Sequence, residues 1–229
     1  MVYHVLNRAN ARATIFESDA DYAAFQRVLC EALARSPGMR LLAYCLMPNH
    51  WHLVLWPAAD GQLSQFMRWL TMTHTQRWHA HRHTAGNGHL YQGRFKCFAV
   101  QQDEHFLIAC RYVERNALRA GLVARAEHWR WCSLWRRAAI GANTDENPAM
   151  RAPPLSPWPV DRPADWLAVV NQPQTPAEEH AVCRAILRSR PFGADAWVDE
   201  TVARLGLQWT VRPRGGQRKA PESSNANSF

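Results

Sequence analysis

The sequence predicts an α+β fold: a ferredoxin-like antiparallel sheet with helices on its face, plus a small helical C-terminal extension. Three observations predict it. Short apolar, strand-like runs alternate with long helical patterns in the order strand, helix, strand, strand, helix, strand, helix. A proline-rich stretch then interrupts every period, and two capped helical patterns follow it.

Each element has its own signal. Tyr3 to Asn7 alternates weakly and reads as a short strand. Asp19 is positioned to cap a helix to about Arg35, because Tyr22, Phe25, Val28, Leu29 and Leu33 recur at helical spacing before Ser36-Pro37-Gly38 stops it. From Met39, MRLLAYCLMPNHWHLVLW is two apolar runs broken by Met47-Pro48-Asn49, which is the pattern of a hairpin. Gln62 to about His83 is a long helical pattern with Leu63, Phe66, Met67, Leu70 and Trp78 near one face. Arg94 to Val100 returns as a strand, and Asp103 caps a helix to about Ala120, closed by Gly121. Residues 141–165 hold six of the fourteen prolines and read as a linker. Thr175-Pro176-Ala177-Glu178 forms a capping box, so a helix should run to about Arg190, with another from Ala194 to Leu205. The resulting division is 1–140 as the core domain, 141–165 as linker, 166–210 as helical extension, and 211–229 as a basic tail expected to be disordered.

Composition narrows the partners. The 229 residues carry 27 Lys and Arg against 19 Asp and Glu, a formal charge of +8. Nothing approaches the apolar length needed to span a bilayer, and MVYHVLNR lacks the regions of a signal peptide, so a cytoplasmic protein with no membrane partner is expected. Six scattered cysteines without C-x-x-C suit a reduced compartment and exclude a disulfide scaffold. No acidic residue lies between Asp60 and Asp103, a stretch holding Arg68, Arg77, Arg82, Arg94, Lys96 and five histidines. From Arg111 to Arg137 seven arginines face only Glu114 and Glu127. Trp69, Trp78, Trp129, Trp131 and Trp135 are interleaved with these charges, a mixture suited to stacking on bases and neutralising phosphates. Arg94 and Lys96 are placed to hold a nucleic-acid backbone, as are Arg68, Arg77 and Arg119. Arg212, Arg214, Arg218 and Lys219 fit either a nonspecific DNA tail or a plain disordered end.

Two features carry chemistry. His50 and His52 flank Trp51 on one strand, so alternation puts both imidazoles on one face, either as two ligands of one metal or as two unrelated half-buried histidines. On the helix from Asp103, Phe106, Cys110, Val113 and Ala117 form the apolar stripe, and Tyr112 falls roughly opposite it. Tyr112 is therefore either an exposed tyrosine or a functional one. Asn116 lies one turn further, with His105 and Arg119 nearby, so a phenol, an amide and a guanidinium could converge on one ligand. Tyr91, beside Gln92-Gly93-Arg94, is a weaker candidate for contact with phosphate. His74, His79, His81, His83 and His89 read as a solvated basic helix and loop.

The segments YHVLNRAN, MPNHWHLVL, GHLYQGRFK and RYVERNALRAGLV, in this order, resemble the REP-associated tyrosine transposases, members of the HUH superfamily of single-tyrosine, single-strand DNA transposases. The resemblance covers about residues 1–138, and implies an HUH endonuclease core. It implies that His50 and His52 bind a divalent ion, that Tyr112 is the nucleophile, and that Asn116 helps complete the metal site. The implied cofactor is Mg²⁺ or Mn²⁺, and the implied partner is single-stranded or hairpin DNA of palindromic repeats, bound by a monomer or homodimer. The implied reaction is metal-dependent strand cleavage and transfer through a 5′-phosphotyrosine. The alternative is a non-catalytic protein that binds structured single strands through its basic surface.

Overall fold

The computed structural model describes residues 1–86, 88–139 and 152–212 of the chain. Strands β1 (Val2–Arg8), β2 (Arg40–Met47), β3 (His50–Trp56) and β4 (Lys96–Val100) form one antiparallel sheet in the order β2-β3-β1-β4. Helix α1 (Asp19–Ala34) joins β1 to β2, and α2 (Gln62–Arg82) joins β3 to β4. That connectivity is ferredoxin-like, as the element order predicts. The β2–β3 turn is Pro48-Asn49, with Met47 paired to His50, and its carbonyls accept the amides of Ile15 and Ala9 at 2.8 and 2.9 Å.

Alternation divides the sheet into two faces with different contents. One face sends Val5, Tyr44, Leu46, Trp51, Leu53 and Leu55 into a core closed by α1 and α2. The other sends Val2, Cys45, Met47, Val54 and Phe98 against α3 (Glu104–Glu114), and it also carries His4 and His52. β2 bulges between Leu41 and Ala43. The Leu42 carbonyl in that bulge accepts both Trp158 Nε1 and Arg137, at 2.8 and 2.7 Å.

Two boundaries differ from the sequence expectation. Ser18 caps α1 in place of Asp19, with Asp21 Oδ2 accepting the Ser18 amide at 3.0 Å. The predicted single helix to Ala120 divides at Arg115 into α3 and α4 (Asn116–Arg119). Arg115 donates its guanidinium to the carbonyls of Val170 and Asn171, yet its own carbonyl still accepts the Arg119 amide at 2.8 Å, so the helical path continues. Gly121, at φ +70°, ends it where an L side chain would be strained.

Beyond α5 (Ser133–Ala139), residues 141–151 of the linker expectation lie outside the described residues. Residues 152–165 have no helix or strand, but Ser156 donates its amide to Leu41 and Trp158 packs edge-on against Phe106 and Trp166. Helices α6 (Trp166–Asn171) and α7 (Pro176–Arg188) then cover α3. α7 begins with the predicted Thr175–Glu178 capping box, and α8 (Asp195–Leu205) and α9 (Gln208–Val211) follow. Glu114 is fully buried and fixes this layer, accepting from Ser133 Oγ at 2.5 Å and Trp166 Nε1 at 2.7 Å. The tail residues Arg214, Arg218 and Lys219 lie outside the described residues. All six cysteines are free, and no helix among the described residues is long and apolar enough to cross a membrane.

Candidate active site

β3 presents His50 and His52 on the α3 side of the sheet with ring centroids 5.1 Å apart, and α3 brings the Tyr112 ring to 6.0 Å from His52. Both histidines use Nδ1 internally. His50 Nδ1 meets Asn49 Oδ1 at 2.6 Å, and His52 Nδ1 meets Nε2 of the fully buried His4 at 2.9 Å. Ligand duty would therefore fall on the Nε2 atoms, in the manner of imidazoles oriented by an outer partner. Burial keeps both rings neutral, which coordination requires: His50 is depressed to about 4, with Arg8 and Arg119 adding repulsion, and His52 lies well below the usual range.

Tyr112 departs from the expectation of an exposed helix tyrosine. It is 5% exposed, because its flank of α3 faces His4 and His52 on one side and Cys183 of α7 on the other. The helical wheel considered one buried face, whereas α3 is covered by the sheet and by α7 together. Arg119 Nη2 donates to the phenol oxygen at 3.0 Å, and its guanidinium lies 4.3 Å from the ring centroid. Burial pushes the phenol up, Arg119 pulls it down, and the adjacent Cys183 thiol pushes it up again. The same Nη2 lies 3.5 Å from Asn116 Oδ1. Asn116 is 2% exposed and its Nδ2 has no hydrogen-bond partner, so the donor end of this amide is not satisfied by the protein around it. Two neutral imidazoles and the Asn116 amide oxygen, met only by a long 3.5 Å contact from Arg119, make a donor set that fits a hard or borderline divalent ion. The densest His and carboxylate cluster among the described residues is elsewhere, at Asp103, Glu104 and His105, where Asp103 Oδ1 caps α3 by accepting the His105 amide.

The predicted DNA contacts separate. Arg68 and Arg94 line one cleft of about 1310 Å³ between α2 and the segment leading into β4, together with His79 and His89 and with no carboxylate. Lys96 is exposed at the start of β4. Arg77 is held by Glu31 through two hydrogen bonds of 2.7 and 2.8 Å. Arg119 sits on the candidate nucleophile. Tyr91 is not a phosphate contact: its hydroxyl is buried on the opposite face, between Trp51 Nε1 at 3.0 Å and His74 Nδ1 at 2.6 Å. His74 is correspondingly a core residue and not part of a solvated helix face.

The tryptophan expectation fails for a physical reason. Trp131 is buried, and Trp69, Trp78, Trp129 and Trp135 pack half-buried on the two cores, where their large apolar area is worth more than on the surface. Trp78 and Trp129 donate Nε1 to the carbonyls of Ile15 and Leu46. Sequence reasoning also missed His4, whose signal was its alternation with Val2 and Leu6 on the histidine face.

The profile of a family described as "Transposase IS200 like" matches residues 1–116, from β1 to the first residue of α4. The chain belongs to this family. This IS200-like transposase is therefore a DNA-binding enzyme of DNA transposition, and the match spans the histidine pair, Tyr112 and Asn116. Among solved structures it is similar to a REP-associated tyrosine transposase bound to a REP hairpin, at 17% identity and TM-score 0.49 over 69% of this chain and 87% of that one. It is also similar to a putative transposase from Deinococcus radiodurans R1, at 18% identity and TM-score 0.37 over 47% of this chain and 85% of that one. No curated protein matches the sequence.

Proposed function

We propose that this transposase is a metal-dependent single-strand DNA endonuclease and strand transferase acting on hairpin-forming palindromic repeats, with Tyr112 as its nucleophile. The observation that carries the reading is the placement of Tyr112, with its hydroxyl bonded to Arg119 and its ring 6.0 Å from that of His52. His50, His52 and Asn116 would hold Mg²⁺ or Mn²⁺. When bound, the ion supplies a Lewis acid for a non-bridging phosphate oxygen.

The remaining work falls to this chain's own groups. The Tyr112 oxygen forms a bond to phosphorus as the bond to the 3′-oxygen breaks, and the proton lost by the phenol is balanced by the one gained at the departing 3′-hydroxyl. The product is a 5′-phosphotyrosine, and attack by another 3′-hydroxyl reverses the step and releases Tyr112. Arg119 stabilises the phenolate against the burial that opposes it. Arg8 and Arg119, both close to His50, attract the phosphate to a site without a carboxylate base. Arg68 and Arg94 would hold backbone in the cleft on the other face, while the exposed Lys96, which alternates with Phe98 on β4, would meet backbone from the histidine face.

The test is cleavage of a labelled hairpin strand with single-stranded flanks, with and without Mn²⁺, beside a fully duplex oligonucleotide. The hairpin should be cut only with metal, and the duplex much more slowly. Equal cutting of both, or cutting in the presence of a chelator, would contradict the proposal.

A further inference from the structure

Of the eleven tryptophans, all within the described residues, Trp209 alone is exposed, at 58%. It stands on α9 across a groove of about 780 Å³ from the outer face of α7. Leu187, 68% exposed, forms part of the apolar wall opposite. Arg184, Arg188 and Arg212 line the same groove, and among the described residues no carboxylate does. Glu178, in the first turn of α7, is directed elsewhere: it closes the capping box and faces Arg111 at 3.8 Å. Arg188 also donates to the Arg212 carbonyl, which ties α9 to α7 and fixes the groove's width.

One lining residue connects this surface to the chemistry. Cys183 borders the groove, and its thiol is also the α7 group beside the Tyr112 hydroxyl. The groove therefore begins one side chain away from the candidate nucleophile. A bare indole flanked by guanidinium groups, with no acid, is the combination that binds unpaired nucleotides: bases stack on the ring and phosphates meet the cations. Tryptophan is enriched where a protein meets a partner, because its ring is apolar and its indole N–H is polar.

We infer that the α7–α9 groove is a single-strand DNA site, taking the unpaired strand that continues from the scissile phosphate, with a base stacked on Trp209 and backbone on Arg184 and Arg188. The inference rests on Tyr112 as the nucleophile for its direction of travel, and on charge and exposure for its occupant.

The experiment uses the full chain without divalent metal, so that nothing is cut, and measures anisotropy of two labelled hairpins, one with single-stranded flanks and one blunt. Trp209→Ala should weaken the flanked hairpin between about fivefold and a hundredfold and leave the blunt one unchanged, with Trp209→Phe restoring most of the loss. Arg184→Ala should lower the salt slope for the flanked hairpin by about 0.7. With metal present, Trp209→Ala should raise KM for the flanked strand with kcat unchanged. Unaltered affinity for the flanked hairpin in a Trp209→Ala protein of wild-type thermal stability would overturn the inference. Tighter binding by that variant would overturn it too, since the groove would then be covered by the chain's own terminal residues. So would a change in oligomeric state without a change in DNA affinity. If Tyr112→Phe still forms a covalent adduct, the nucleophile assignment fails, and the affinity comparison between the two hairpins stands as a separate result.

Discussion

The two faces of the sheet each hold a tyrosine close to a histidine, and they treat the pair in opposite ways. Under α1 and α2, Tyr91 accepts from Trp51 and meets His74 at 2.6 Å. Under α3, Tyr112 lies 6.0 Å from His52 between ring centroids, its oxygen met by a cation, with an unpartnered amide next to it and His4 Nδ1 unpaired behind. Buried polar groups that satisfy one another stabilise a fold, while buried polar groups left unsatisfied mark a place built for something else. The same residue types thus read as structure on one face and as chemistry on the other.

Exchanging hydroxyls across that comparison gives the largest expected effect. Tyr112→Phe should abolish cleavage and covalent capture, a loss above about a thousandfold, while stability stays within about 1 kcal/mol because the ring remains. Tyr91→Phe should still cut DNA but lose about 1–3 kcal/mol in denaturant melts, since the Trp51 indole and His74 lose their partner. Adduct gels and urea titrations on both variants read the two quantities.

Histidine substitutions sharpen the contrast at the level of the ion. His52→Ala should remove Mn²⁺ binding measured by calorimetry, whereas His74→Ala should keep it and unfold more easily. His4→Phe should weaken Mn²⁺ by about 10–100-fold without preventing folding, because His4 holds the ring that binds. Unchanged Mn²⁺ affinity in His4→Phe would reduce His4 to a packing residue.

One pH effect is common to both faces. His4 and His74 are depressed by burial to about 3 and His50 to about 4, so these rings stay neutral in the folded chain where the same histidines in the unfolded chain take up protons near pH 6.5. The unfolded state then binds more protons, and stability falls as pH drops below 6.5, by up to about 1.4 kcal/mol per unit for each such histidine, until the folded values are reached. A melting temperature that is flat from pH 7 to pH 5 would contradict this.

How much of this was legible in the sequence depends on the kind of signal. Local signals read well: Gln62–Arg82, the Thr175 capping box and the turn at Pro48-Asn49 depend on neighbours in the chain. Alternation also placed His50 and His52 together on one face. What was not legible depends on elements distant in sequence. Tyr112 is buried because α7, about seventy residues on, covers its flank. Arg77 finds Glu31 across α1 and α2, and Arg119 turns onto Tyr112, pairings that charge patterning along the chain does not encode. The tryptophans show the same limit, since five read as a stacking surface are packing and the exposed one lay outside the basic stretches.

The central claim, that the pair of Tyr112 and His52 is the reactive one, is tested most directly by mapping the covalent adduct. The wild-type chain is incubated with a flanked hairpin strand and Mn²⁺, denatured, digested and sequenced by mass spectrometry. The account predicts a nucleotide linked through a 5′-phosphate to the peptide containing Tyr112. A nucleotide on the peptide containing Tyr91, or an adduct that forms equally well in Tyr112→Phe, would contradict it.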